Sequence, residues 1–279
     1  MLQTFIILTL LVLLVDALGW VRFLWFISIG YGASIAAIAI ALGVMHYDTL
    51  SLPSALLILL AVIYGFRLAG YLLIRELRSA NYRKTISYDA MQGSDYPLVA
   101  SVSIWLSCVL LYLCQMTPVI VRVEQEAERL QPPSGLPFFG GGGGGLVWAG
   151  IAIAALGLLT EALADQQKSA AKKLAPQRFV DTGLYRIVRC PNYFGEVIFW
   201  TGILVSGLGT MDAWWQWLMA LTGYVAIVYI MFSGARRLEL RQDHNYGEDP
   251  EYQAYKQSTP ILLPFVPIYS VKRHKWLRG

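Results

Sequence analysis

Between Gly183 and Glu196 the chain reads Gly-Leu-Tyr-Arg-Ile-Val-Arg-Cys-Pro-Asn-Tyr-Phe-Gly-Glu, a polar and aromatic stretch at the mouth of an apolar run. Gly183 permits a turn, and Tyr185, Arg186 and Arg189 give a surface that is basic and aromatic. Pro191 fixes the start of a helix, with Asn192 close to its cap. A helix N-terminus with arginines nearby attracts an anion such as a pyrophosphate or a 2′-phosphate. Glu196 then lies one turn deeper, on the face of Asn192. An anion site at a membrane surface thus leads to a carboxylate within it, an order that suits chemistry on a lipophilic molecule with a charged nucleotide.

Other ionisable residues stand in apolar surroundings: Asp16, Arg67, Glu161 and Asp165. Each costs several kcal/mol in a bilayer unless it faces a polar cavity or a partner, so each is a candidate for function. Glu161 and Asp165 are four apart, and their helix face continues through Lys168, Ser169 and Lys172 as a stripe suited to a cavity open to one side. The competing role for these lysines is contact with lipid headgroups, and for Glu196 it is an ion pair with Arg189 or Arg67. His46, His244 and His274 are scattered, and Cys108, Cys114 and Cys190 form neither a disulfide framework nor a metal-ligand pattern.

The elements that position these groups are set by composition. Of 279 residues, 56% are hydrophobic and 14% charged, which points to a multi-pass membrane protein rather than soluble domains. Seven apolar windows suffice to cross a bilayer: Leu2 to Trp20, Phe23 to Val44, Pro53 to Ile74, Leu98 to Val121, Leu146 to Ala164, Tyr193 to Thr210 and Trp214 to Phe232. The first has no basic residue before it and no convincing cleavage site after it, so it reads as an anchor. The expected fold is an all-α bundle of seven transmembrane helices. The loops after the odd-numbered spans carry 19 of the 22 Lys and Arg, Arg83 and Lys84 among them, which puts that face in the cytoplasm, the N-terminus outside and the C-terminus cytoplasmic. The same asymmetry accounts for the net charge of +4 without a nucleic-acid partner. Residues 122–145, with Pro132, Pro133 and six glycines from Gly140, read as a flexible linker between four amino-terminal spans (1–121) and a three-span region (146–279) of one integral-membrane domain. The glycine run lacks the Lys and Ser/Thr of a phosphate loop.

The run Arg189-Cys190-Pro191-Asn192-Tyr193-Phe194-Gly195-Glu196, preceded by Gly183-Leu184-Tyr185, resembles the signature of the steroid 5-alpha-reductase family, particularly its bacterial members. Tyr64-Gly65-Phe66-Arg67-Leu68 is similar to the family's aromatic-Gly-x-Arg-Leu segment, and Glu251-Tyr252-Gln253-Ala254-Tyr255 through Thr259 to Pro264 to its tail. The similarity is strongest from about Glu161 onward. It implies NADPH-dependent reduction of a carbon–carbon double bond conjugated to a ketone, as in a 3-oxo-Δ4 steroid. A dinucleotide held between helices and cytoplasmic loops would explain the missing G-x-G-x-x-G. By match to the family, Tyr64 is the expected hydrogen-bond donor to the substrate carbonyl and Glu196 belongs to the substrate and nicotinamide region. Asp165, Lys172, Arg178, Asn192 and Arg237 match its cofactor-binding positions; Arg67, Tyr185, Arg189 and Tyr193 join them on the local argument. Expected partners are a steroid-like substrate and membrane lipid, with no metal and no obligate protein partner. In a bacterium the location would be the inner membrane, with the site open to the cytoplasm. Cys190 replaces the family's histidine, and the Gln-Glu pair assisting the tyrosine in animal enzymes has no counterpart in spans one or two, where Asp16 is the one substitute. A related motif occurs in membrane methyltransferases of the isoprenylcysteine carboxyl methyltransferase kind, which use S-adenosylmethionine. Sterol Δ14 and Δ7 reductases are relatives with more spans, and a transporter using the buried carboxylates is the non-enzymatic alternative.

Overall fold

The computed structural model describes residues 1–78, 97–128 and 144–277. Arg83, Lys84 and residues 129–143 of the expected linker lie outside them. Among the described residues all regular structure is helical: α1 (Leu2–Asp16), α2 (Ile29–Met45), α3 (Leu52–Arg78), α4 (Leu98–Glu128), α5 (Gly144–Leu174), α6 (Pro191–Gly207), α7 (Trp214–Tyr246) and the short α8 (Pro250–Ser258). Among the described residues five segments are long and apolar enough to cross a membrane: Leu2–Trp20 and helices α3, α4, α5 and α7. Helices α2 and α6 have 17 residues each. The expected second span is not continuous from Phe23: Arg22 is extended, Phe23–Ile27 forms a 3-10 turn, and the α-helix starts only after Ser28.

Helix ends also depart from the hydropathy windows. α4 continues to Glu128 and α5 starts at Gly144, so both ends of the expected linker are helical. The reason is pairing of the polar residues that end the apolar run. Glu124 is buried and meets Thr4, the Met1 amine and His46 Nε2, the last at 3.1 Å. Glu126 accepts from the Ser51 and Ser54 hydroxyls at 2.7 and 2.9 Å and pairs with Arg122 at 3.4 Å. Hydropathy registers the charges but not their partners.

The chain forms two compact units, residues 1–151 with 203–223 and residues 152–202 with 224–279. In unit one, α2 crosses α3 on two small-residue pairs, Gly32 with Ala36 and Gly65 with Ala69. A Cβ on Gly32 would sit 2.7 Å from the Gly65 carbonyl oxygen, and one on Gly65 would sit 2.8 Å from the Ala36 nitrogen. Without side chains at the crossing the backbones pack directly, the usual way apolar helices associate in lipid. Ile35, Ile38, Leu42, Leu57 and Ala61 fill the surrounding core.

In unit two, α5 and α6 repeat the device at Gly157 and Gly195, where a Cβ on Gly195 would lie 2.6 Å from the Glu161 nitrogen. The chain beyond α8 is tied to the segment before α6: Arg189 N donates to the Pro260 carbonyl at 2.9 Å and Cys190 N to that of Ile261 at 3.0 Å. α8 starts on Asp249, whose side chain accepts from Glu251 N at 2.9 Å, with Pro250 next.

Candidate functional site

In unit one the Tyr-Gly pairs of the α2–α3 crossing place two phenols together. Tyr64, fully buried, donates to the Tyr31 hydroxyl at 3.0 Å, and Gln115 Nε2 of α4 donates to the same oxygen at 3.2 Å. The Tyr31 ring stacks on Tyr112 with centroids 5.0 Å apart. Tyr64 therefore belongs to a polar cluster drawn from three helices. Tyr31 and Gln115 were not singled out from the sequence, although the matching Tyr-Gly-x-x-x-Ala spacings, Tyr31 to Ala36 by way of Gly32 and Tyr64 to Ala69 by way of Gly65, carried a signal. Asp16, fully buried, lies against Gly30, and among the described residues neither of its carboxylate oxygens has a hydrogen-bond partner. Arg67, one turn beyond Tyr64 on α3, is half-buried.

In unit two the turn before α6 forms as expected. Gly183 has φ +63°, a conformation glycine adopts without strain, and its missing side chain leaves room for Gln167, whose Oε1 accepts from Leu184 N at 2.8 Å. α6 starts at Pro191. Glu161, Asp165 and Glu196 are all buried, the first two on consecutive turns of α5 and the third on α6, beside the Gly195 contact with Glu161.

Three of the residues expected at the cofactor site, Lys172, Arg178 and Arg189, make polar contacts within the protein. Arg189 is 1% exposed; its Nη2 donates to Glu239 at 3.2 Å and to the Tyr269 carbonyl at 2.6 Å. Glu239 also accepts from Val271 N at 2.9 Å. The pair fastens the carboxy-terminal segment to α7, and Arg189 meets Glu239 where the sequence suggested Glu196. Glu239 escaped notice because it lies past the hydropathy window, on the polar extension of α7. Lys172 Nζ donates to the carbonyls of Pro176 and Arg178 at 3.2 and 2.5 Å and to the Tyr246 hydroxyl at 2.9 Å, so its three protons hold the loop after α5. Arg178 bonds Glu251 at 2.6 Å and Asp181 at 3.0 Å, and these two carboxylates raise its already high pKa. A cleft of about 450 Å³ beside it is lined by Gln167, Leu174, Phe179 and Asp181 among others.

The Tyr185 hydroxyl reaches the Ala164 carbonyl at 3.3 Å, and the Tyr185 carbonyl accepts from the Tyr255 hydroxyl at 2.7 Å. Tyr252, from the same tail motif, donates to Asp243 at 2.9 Å. Burial raises the pKa of both tail phenols, with the Asp243 bond adding to it at Tyr252. Burial likewise pushes the Cys190 thiol up to about 12.

Asn192 and Tyr193 are half-buried, and Arg237 is exposed on α7. The Tyr193 ring lies against Gly234, where a Cβ would be 3.3 Å from Cε2. The charges of Arg237, Arg241 and Glu196 all act on the Tyr193 phenol.

A family model described as a protein of unknown function (DUF1295) matches residues 17–259. No curated protein and no solved structure matches the chain.

Proposed function

The chain belongs to the DUF1295 family, and on that premise we propose that it is an NADPH-dependent membrane reductase of enones in lipophilic, steroid-like substrates. The observation that carries the reading is the sequence of groups in unit two: buried Glu161, Asp165 and Glu196, then Tyr193, then the exposed arginines of α7. The Gly183–Glu196 signature, which resembles that of the steroid 5-alpha-reductases, lies across this series. We further read α2 and α6 as spans, giving seven with the N-terminus outside: 17 residues rise about 25 Å, the short end of a bilayer crossing. In a bacterium this is an inner-membrane protein whose site opens to the cytoplasm.

When bound, NADPH would supply the hydride that the β-carbon of the enone receives, and a proton from water at the α-carbon would complete the reduction. The side chains orient the reactants and meet the charge that develops on the carbonyl oxygen. Tyr64 is the proposed donor to that oxygen. Its proton points to Tyr31, so donation to substrate needs the hydroxyl to turn, with Gln115 keeping Tyr31 in place. Glu196, in the apolar surroundings of α6, orients the nicotinamide end, while the α7 arginines take the charged end. Lys172, Arg178 and Arg189 act indirectly by fixing the loops.

The test is dinucleotide binding to the detergent-purified protein, comparing NADPH, NADH and S-adenosylmethionine, followed by addition of a 3-oxo-Δ4 steroid while NADPH absorbance is read. NADPH binding with oxidation on adding steroid supports the reductase. S-adenosylmethionine binding without NADPH turns the assignment to a methyltransferase, and no nucleotide binding favours a transporter.

A further inference from the structure

The carboxy-terminal segment folds back on α7. Residues 271–277 make two consecutive turns, in which His274 N donates to the Val271 carbonyl at 3.1 Å and Leu277 N to the His274 carbonyl at 3.0 Å. The two ends, Val271 and Leu277, are buried, while Lys272, Arg273, His274, Lys275 and Trp276 between them are all exposed. Contacts with three levels of α7 fix the depth of this double turn. Glu239 accepts from Val271 N at 2.9 Å. Arg236 donates from Nε to the Lys272 carbonyl and from Nη1 to that of Leu277, both at 3.3 Å, and the Tyr229 hydroxyl donates to the Trp276 carbonyl at 2.9 Å.

Tyr229 belongs to the apolar window of α7, a helix long and apolar enough to cross a membrane. Val225, one turn before it, and Ile230 are exposed aliphatics of the same window, and in a spanning helix such residues face lipid. The Trp276 ring stacks on Tyr229 with centroids 6.0 Å apart and stays 64% exposed. From Glu239 to Tyr229 the helix rises about 15 Å, so the segment starts at the polar extension of α7 and reaches the edge of the hydrocarbon with Trp276. Trp and Tyr collect at that depth in membrane proteins, with the ring toward lipid and the polar tip toward water. Arg273 and Lys275, placed between the Arg236 and Tyr229 contacts, fall at the depth of the headgroups.

The carboxylates of the α7 extension are already engaged, Glu239 with Arg189 and Lys256 and Asp243 with Lys256 and Lys272. Among the described residues Arg273 and Lys275 have no ion pair, so their charge is left for an anion outside the chain. We propose that Arg273 and Lys275, with Trp276 as an apolar foot, form an interfacial anchor that binds anionic phospholipid headgroups. A soluble anion would use the two cations alone, whereas cations beside an exposed indole on a lipid-facing ring match an amphiphile. The buried ends Val271 and Leu277 hold the turn in place, and lipid neutralises its outer face. The anchor requires only that α7 crosses the bilayer and is independent of the reductase reading.

The experiment places a bimane label on His274→Cys, at the exposed rim of the turn; the three native cysteines are buried. The purified protein is carried in nanodiscs of phosphatidylcholine, or of equal parts phosphatidylcholine and phosphatidylglycerol, and quenching by aqueous acrylamide is compared with quenching by a lipid spin-labelled at headgroup depth. The anchor predicts less acrylamide quenching and more lipid quenching in the phosphatidylglycerol discs, a difference that high salt removes. On that background Arg273→Gln and Lys275→Gln should each cut the ratio of lipid-held to water-exposed label roughly fivefold. Lys173→Gln, which removes an exposed charge of α5, should leave it unchanged. Trp276→Ala should raise acrylamide quenching in both lipids; if that variant aggregates, the exposed Arg273 and Lys275 variants decide. Equal quenching in the two discs, or equal effects of Lys173→Gln and Lys275→Gln, overturns recognition of anionic lipid. A label open to acrylamide in both lipids places the turn in water, and one shielded from both quenchers makes it a protein contact; either result overturns the anchor.

Discussion

Gly195 presses on the backbone of Glu161 so closely that a Cβ there would stand 2.6 Å from the Glu161 nitrogen and 2.8 Å from the Gly157 carbonyl oxygen. The glycine next to Glu196 thus fixes the distance between the two helices that carry the buried carboxylates. Gly195→Ala should cost about 1–3 kcal/mol through overpacking, as both contacted atoms are backbone. Gly70→Ala, with nothing within 4 Å, should be neutral or slightly stabilising. Thermal unfolding in detergent distinguishes the two; equal midpoints would show that α5 and α6 can separate at little cost.

Tyr64→Phe should lower turnover strongly with NADPH saturating, while KM changes less, since the lost bond matters most when charge develops on the carbonyl. Tyr31→Phe should have a related, smaller effect by releasing the acceptor that orients Tyr64. Full turnover in Tyr64→Phe would remove carbonyl polarisation from its role.

Glu239→Gln tests the placement of Arg189. Removing one partner of a buried ion pair typically costs about 3–5 kcal/mol, and Arg189 and Glu239 are both essentially unexposed. The variant should unfold at markedly lower temperature, and the fraction that stays folded should bind NADPH normally. Normal stability with lost NADPH affinity would return Arg189 to the cofactor site.

Glu196→Gln should abolish turnover while the folded protein remains extractable in detergent. It removes a charge without changing the shape of the residue next to the α5–α6 contact. Aggregation of the variant in place of extraction would identify Glu196 as a structural ion-pair member.

Cys190 gives a prediction in pH. Its thiol is shifted from the usual 9.0 up to about 12 by burial, against the opposing charges of Arg189 and Lys168. Below 9 the folded and unfolded chains both keep the proton; between 9 and about 12 only the unfolded chain releases it, so stability falls as pH rises through that window. Cys190→Ala should flatten the fall in unfolding midpoint between pH 9 and 10.5. All three cysteines are buried, so a maleimide at pH 7.5 should label none of them before denaturation. Rapid labelling of Cys190 would contradict its burial.

The sequence by itself determined that the chain is helical and multi-pass, that α6 begins at Pro191 after a turn at Gly183, and that carboxylates lie within its apolar segments. These features follow from local rules: hydropathy over a window, the fixed φ of proline, the freedom of glycine. Where helices end was less legible, because Glu124, Glu126 and Glu239 stay helical through partners far away in sequence. Only the tertiary structure decided which basic residues are available to a ligand. Lys172, Arg178, Arg189, Arg237 and Arg241 are all cations near the same motif in one dimension, and a cation's use depends on the carboxylates and carbonyls that folding brings within about 3 Å of it. Arg189 found Glu239, Lys172 found three oxygens of its own unit, and Arg237 and Arg241 stay exposed on α7.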